Sequence, residues 1–380
     1  MTDQIKMQPI TTEVAAPTPR EALAGASYVD RVVSGRVFTM AGGETMASAP
    51  HVSLEHSGMV LSGPSALLTA PHLHARYPGM VFLIEPPSGK VRASSERPLI
   101  LEMQDSLFPP TVEEMLQGQR HAGAAAGVIP AGFVDVGDSD ALKAVLGAAQ
   151  RIERDDVILP IFAHQKWLGP DHIGQLIAVA KRSEHRVALA LGAKQGDPLA
   201  MKGGPEGYRR FFGEVEGAIP WRTDLAGFDA YAHGARCAVI GQIPSLRRMD
   251  VPGSRPYSSN PADKSPHLFS PNLLRFARSS EMHVKWFASS EPWTCRGPLG
   301  VVRAVDSFTG SDEDRLEAHL INLAAIDAMA AEMTSMTVAQ AAAWWGQRLD
   351  DAAGEYERLK NHTGVMVSMP ATLARWRALR

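Results

Sequence analysis

Short, uninterrupted apolar runs alternate with amphipathic stretches of helical length between residues 80 and 287, and that rhythm leaves few folds open. The runs cover 80–84, 132–136, 157–161, 186–191, 218–221, 237–240 and 283–287, with a further short one at 99–101. Helical patterns fill 139–151, 170–182, 205–215 and 224–233, the first with Ser139 as its expected N-cap. A strand that is apolar on both faces is covered on both, which means a parallel sheet flanked by helices. The number of strand–helix units predicts a (β/α)8-type barrel over residues 80–310, with an open doubly wound sheet as the alternative.

The flanks read differently. Residues 1–27 are polar and without periodicity and are expected to be disordered. Residues 28–79 read as an irregular, β-rich N-terminal region broken at Gly42-Gly43, Gly58 and Gly63-Pro64. Residues 311–380 form a helical appendage with patterns at 312–333, 337–360 and 369–376. Its Ala-rich faces and Trp344-Trp345 suit packing on the chain itself or in a homodimer.

Composition excludes several classes. A net charge of −3 over 380 residues exerts no global pull on nucleic acid or membranes. No run approaches the ~18 apolar residues of a membrane helix, and two cysteines make no disulfide framework. The expectation is a cytoplasmic protein without a membrane partner.

Chemistry is expected where strands end, since the loops there build the site of a parallel α/β fold. Arg222-Thr223-Asp224 leaves a strand and enters a helix, so Asp224 is either a general base or a helix cap, and Arg222 either an anion clamp or an ion-pair partner. Gly241-Gln242 with Ser245, Arg247 and Arg248 is a candidate cradle for a base or a phosphate, or a plain tight turn. His164-Gln165 with Trp167, and Lys194 with Asp197, follow the two preceding strands as candidate substrate contacts. Asp135 with Asp138 around Gly137 is a candidate acid or a turn. Tyr208, Phe211 and Phe212 have the spacing of a core-facing helix. No phosphate-loop, nucleophile-elbow or His-Glu-x-x-His motif is present.

One layout resembles a family. In tRNA-guanine transglycosylases and related base-exchange proteins a barrel is followed by Cys-x-Cys-x-x-Cys and by a zinc-binding histidine at the start of a later helix. Here Ser290-x-Pro292-x-x-Cys295-Arg-Gly297 is followed by His319-Leu-Ile-Asn322, and only Cys295 and His319 match. Val239-Ile240-Gly241 is similar to the family's base-binding Gly-Gly loop, with Gln242 for the second glycine, and Pro87-Ser88-Gly89 stands where the family has Asp-Ser-Gly-Gly. Ser290 and Pro292 cannot complete a zinc site, so neither a metal nor another cofactor is expected. The resemblance implies nucleobase exchange or binding in tRNA or another nucleic acid. Asp224 and Asp135 would be the carboxylates, Gln165, Lys194 and Gly241 would bind the base, and Arg222, Arg247 and Arg248 the phosphates. Two alternatives stand beside it: a non-catalytic barrel that binds nucleic acid or protein, and a barrel enzyme for a small phosphorylated substrate.

Overall fold

The computed structural model describes residues 26–101, 109–254, 262–297, 300–365 and 367–379. The architecture is α/β, with parallel strands and helices between them. Strands β1 (Val37–Ala41), β2 (Ser57–Leu61), β3 (Phe82–Ile84) and β9 (Ala238–Gly241) form a parallel sheet in the order β3-β2-β1-β9. A second sheet runs β10-β7-β6-β4, from β4 (Gly127–Val128), β6 (Val157–His164), β7 (Arg186–Ala193) and β10 (Met249–Asp250). The short β5 (Phe133–Val134) continues along β6 where β4 leaves off, and β8 (Ile219–Pro220) pairs with β7. Single parallel bridges run between the two sheets, Leu83 to Ala126 and Thr223 to Ile240.

Helices connect these strands: α2 (Ala66–Arg76), α3 (Val112–His121), α4 (Ser139–Ala149), α5 (Ile173–Ala180), α6 (Gly204–Glu214) and α7 (Ala226–Ala232). Ahead of them α1 (Tyr28–Val33) lies at the N-terminal ends of the strands, where buried Asp30 binds Arg186 Nε at 2.7 Å and Arg236 Nε at 3.2 Å.

Because side chains alternate along a strand, each strand serves two cores. Phe38 and Met40 of β1, Val60, Leu83, Val128, Phe133, Ile158 and Phe162, Ala188 and Ala190, Ile219 and Val239 meet in one cluster drawn from both sheets. Their neighbours Leu159, Ile161, Val187 and Leu189 face outward onto α4, α5 and α6. Ala41, Met59, Leu61 and Phe82 do the same towards α2.

Several expectations need correction. Residues 28–79 are not an irregular region outside the sheet: β1 and β2 are buried throughout and lie in its middle. Gly58 does not break its strand. A Cβ there would meet the Phe38 ring at 2.6 Å and the Val81 carbonyl oxygen at 2.7 Å, so close packing selects the glycine. Residues 283–287 are not a strand. The chain passes from α8 (Ser279–Glu281) into a π-turn over Met282–Trp286, which buries Met282, Trp286 and Phe287 and exposes His283 and Lys285, a helical burial pattern. The N-cap of α4 is Asp138, whose carboxylate accepts the Ala141 N–H. Ser139 instead donates to Gln175. The run at 99–101 makes only one antiparallel bridge, Leu99 to Ala131. Of the expected disordered segment, residues 1–25 lie outside the described residues.

The C-terminal part holds two hairpins, β11 (His267–Ser270) with β12 (Arg275–Arg278) and β13 (Thr294–Arg296) with β14 (Val302–Ala304). Three helices follow, α9 (Asp312–Thr334), α10 (Val338–Thr363) and α11 (Ala371–Ala378). Trp345 is fully buried, stacks on Phe228 at 6.2 Å and donates to Asp229 Oδ1 at 2.9 Å. Arg209 binds the same carboxylate through Nη2 at 2.7 Å. Trp344 remains half-buried and donates to Glu332. No helix among the described residues is long and apolar enough to cross a membrane.

Phe162, fully buried in the cluster shared by both sheets, tests that core directly. Phe162→Ala should cost about 3–5 kcal/mol in equilibrium denaturant unfolding. A cost under about 1 kcal/mol would mean that the two sheets do not share this core.

Candidate active site

Parallel strands deliver their last residues to one edge, and the polar side chains of this chain gather there. At its centre is Glu85, the residue after β3, with a side chain only 4% exposed. Its carboxylate accepts from Trp221 Nε1 at 2.6 Å, from Ser62 Oγ at 3.0 Å, and from Arg222 through Nε at 2.9 Å and Nη2 at 2.5 Å. Arg222 also donates to Ser245 O at 3.0 Å and Ser62 Oγ at 2.8 Å. The guanidinium expected to clamp an anion is therefore occupied in tying together the loops after β2, β3, β8 and β9. Arg222 does so with a φ of 54°, a left-handed conformation that costs a non-glycine residue about 1–3 kcal/mol and persists only where the surroundings enforce it. Glu85 was legible as an acid ending an apolar strand before two prolines, although that position reads equally well as a turn.

Beside this pair lies a small chamber lined by Asp197, Leu199, Tyr208, Arg222, Thr223 and Arg247, with a cavity volume of about 20 Å³. That is room for one water, not for a nucleobase. Asp224 follows the lining residues Arg222 and Thr223, and its Oδ1 accepts the Ala226 N–H, the first of α7, at 3.0 Å, while Leu225 and not Asp224 takes the N-cap position. Burial, and then the charge of Asp197, push the Asp224 carboxyl up to about 6, while the Ala226 N–H and Arg247 pull the other way.

Arg247 is enclosed by protein. Its Nε donates to Gly241 O at 3.0 Å, its Nη2 to Gln242 O at 2.7 Å, and its guanidinium carbon sits 3.3 Å from the centre of the Phe276 ring. Burial pushes it down to about 9, and Asp224 counters part of that shift. Asp197 accepts the Leu199 N–H at 2.8 Å through Oδ1 and the Thr372 hydroxyl of α11 through Oδ2. Tyr208 is 1% exposed, as its helical spacing predicts; the residue lines the chamber, and its hydroxyl is buried without a partner among the described residues. Burial, reinforced by Asp229, Asp224 and Asp197, pushes that hydroxyl well above its usual range.

The other candidates divide. Gly241 serves its own turn: a Cβ there would meet the Leu246 carbonyl carbon at 2.3 Å. Gln242 is buried and donates to Ser48 Oγ at 2.6 Å, and Arg248 donates to the Gly196 carbonyl. His164 interacts with both Asp135 and Lys194 at the ends of β5, β6 and β7, and none of the three lines the chamber. Arg92 Nε holds Asp135 at 2.5 Å. His164 accepts the Lys166 N–H at 3.2 Å. Its proton affinity is lowered by burial and then by Lys166 and Lys194, against the pull of Asp135. Gln165 follows with a buried Oε1 that lacks a protein partner among the described residues. Trp167 is fully buried and donates to Asp135 O at 2.9 Å, so its ring is not free to stack on a ligand.

Next to the chamber, and sharing Leu199 with it, a groove of about 830 Å³ runs between α5, α6 and α11. Far from both, Cys295 lies on β13 with its Sγ 3.6 Å from Arg303 O. Burial, and then Glu317, raise its thiol pKa. Among the described residues no three His, Cys, Asp or Glu side chains group to hold a metal ion.

Comparison with models of known families finds none that matches this chain, and comparison with curated proteins finds no match either.

Two outcomes follow from the geometry. Glu85→Ala should destabilise the fold by about 3–5 kcal/mol in denaturant unfolding, because it strands the Arg222 charge in a buried place. A loss within 0.5 kcal/mol would contradict the clamp. Asp224 has a raised folded-state pKa, so its contribution to stability is complete below about 4 and is lost as pH rises through about 6. Asp224→Asn should remove that pH 4–6 slope from the melting temperature; an unaltered slope would assign it elsewhere.

Proposed function

We propose that the two sheets are halves of one closed parallel barrel of eight strands, β4 and β5 counting as one interrupted strand and the two-residue β10 at the end of β7 lying outside the count, and that the strand-end rim is the active site of a divergent transglycosylase-like enzyme. Two features support the closure. The bridges Leu83–Ala126 and Thr223–Ile240 lie at both seams, and one cluster takes the inward side chains of strands from each sheet. The reaction class is carried by one observation: two carboxylates, Asp224 and Asp197, interact, Asp197 lining a small half-open chamber and Asp224 having a proton affinity suited to acid catalysis near neutrality. Cleavage of a glycosidic bond is the reaction that such a pair suits, one group protonating the leaving atom while the other remains charged. The substrate class follows the family resemblance: a nucleobase joined to a sugar in tRNA or another nucleic acid.

In this reading Asp197 takes the part first considered for Asp135. Arg222, Arg247 and Arg248 each donate to protein oxygens, which counts against a phosphate-binding part for them in a nucleic acid and in a small phosphorylated substrate alike. A purely binding role has no observation in its favour that the catalytic reading lacks.

The test is to incubate the protein with bulk tRNA or duplex DNA, with and without labelled guanine or a 7-deazaguanine, and to follow both released base and label in the polymer. Turnover in either form, reduced at least 100-fold in Asp224→Ala, is the expected result. If neither signal appears while a known transglycosylase works alongside, the function is different.

A further inference from the structure

An enzyme that acts on a polymer needs a surface for the polymer as well as a centre for the chemistry. The chamber is not that surface, since it has room for one water and the arginines that line it are held by protein oxygens. The groove beside it has the room: about 830 Å³, within the ~300–1,000 Å³ range of ligand sites. The two spaces share a wall. Leu199 lines both, and Thr372 lines the groove while its hydroxyl holds Asp197 of the chamber.

Charge points to the occupant. The groove carries three cations, Lys202, Arg210 and Arg375, against one carboxylate, Glu206, in a chain whose net charge is −3. Lys202 is exposed and has no ion-pair partner among the described residues. Arg210 pairs with Glu214 at 2.7 Å and Arg375 pairs with Glu206, but all four side chains are at least a third exposed. Ion pairs between exposed groups are worth only about 0–1 kcal/mol. A guanidinium also has five donors, so a phosphate can join such a pair or replace it at little cost. Arg222 and Arg247 differ, because buried Glu85 and main-chain carbonyls fix their donors. Between the cations the lining is apolar, with Ile173, Met201 and Pro205, a surface for sugar and base faces without a hydrogen-bond code.

We infer that this groove binds the phosphodiester backbone of the substrate next to the reacting nucleotide, with Lys202, Arg210 and Arg375 as its phosphate contacts. The inference rests on the proposed reading of the chain as an enzyme acting on nucleobases in nucleic acid. It gives α11 two tasks, since the helix presents Arg375 to the backbone and Thr372 to Asp197.

The experiment measures binding to the full chain by anisotropy of labelled single-stranded RNA and DNA, with bulk tRNA and duplex DNA as competitors, over a series of salt concentrations. The expected result is binding that weakens steeply with salt, and the stronger competitor identifies the polymer. Replacing Lys202, Arg210 and Arg375 together by alanine should weaken binding at least tenfold and flatten the log–log salt dependence by about 2, each single-strand phosphate contact contributing about 0.7. K202E alone should weaken it at least threefold without lowering the melting temperature. K143E and K285E, at exposed lysines outside the groove, should bind as the parent does. Parental affinity and salt dependence in the triple variant would overturn the inference. Stabilisation of the fold by inorganic phosphate but by no polymer would overturn it in favour of a small phosphorylated ligand. Groove-dependent binding without base release or exchange would sustain the groove and overturn only the glycosidic reading, whereas base release by the triple variant at the parental rate and affinity would do the reverse.

Discussion

A buried carboxylate with more donors than it needs organises this protein. Glu85 draws Trp221, Arg222 and Ser62 onto one point, and thereby joins the ends of β2 and β3 in one sheet to the end of β8 in the other. Burying a charge is costly unless it is paired and hydrogen-bonded, so the pair specifies geometry more than it adds stability. Removing any contributor would leave a charge or a donor stranded, and the whole rim depends on that restriction. The left-handed backbone of Arg222 belongs to the same arrangement, since it accompanies the guanidinium's hold on Glu85.

Unfavourable features concentrate around the chamber. A strained arginine, a second arginine whose charge is disfavoured by burial and a tyrosine whose hydroxyl has no partner among the described residues line one small space, and a carboxyl shifted towards neutrality interacts with its Arg247 and Asp197. At the opposite end of the strands Asp30 pairs with Arg186 and Arg236.

The C-terminal helices belong to this economy of contacts. Asp229 binds Arg209 and Trp345 at once, so α10 is attached to α7 by a charged group as well as by aromatic packing. Thr372 of α11 then reaches Asp197, which makes the last helix one wall of the site. What reads from sequence as an appendage therefore supports the loop that carries a candidate catalytic carboxylate.

Local pattern was enough to establish the α/β class, the positions of β3 and of β5 to β9, the three C-terminal helices and the strand-end location of Asp224, Arg222 and Arg247, because apolar periodicity and strand ends are written residue by residue. It misled where glycine was taken as a breaker, as at Gly58, since only the Phe38 ring packed above it reveals why no side chain is tolerated. It misled again over residues 283–287, where a run short enough for a strand buries itself with helical spacing. The partners of each polar group lay beyond reach for a physical reason. Glu85 and Trp221 are 136 residues apart and Asp197 and Thr372 are 175, and nothing local encodes which donors a carboxylate will meet. Whether Asp224 would only accept the first N–H of a helix or also hold a proton near neutrality was decided by burial and by Asp197, both of which exist only after the chain has folded.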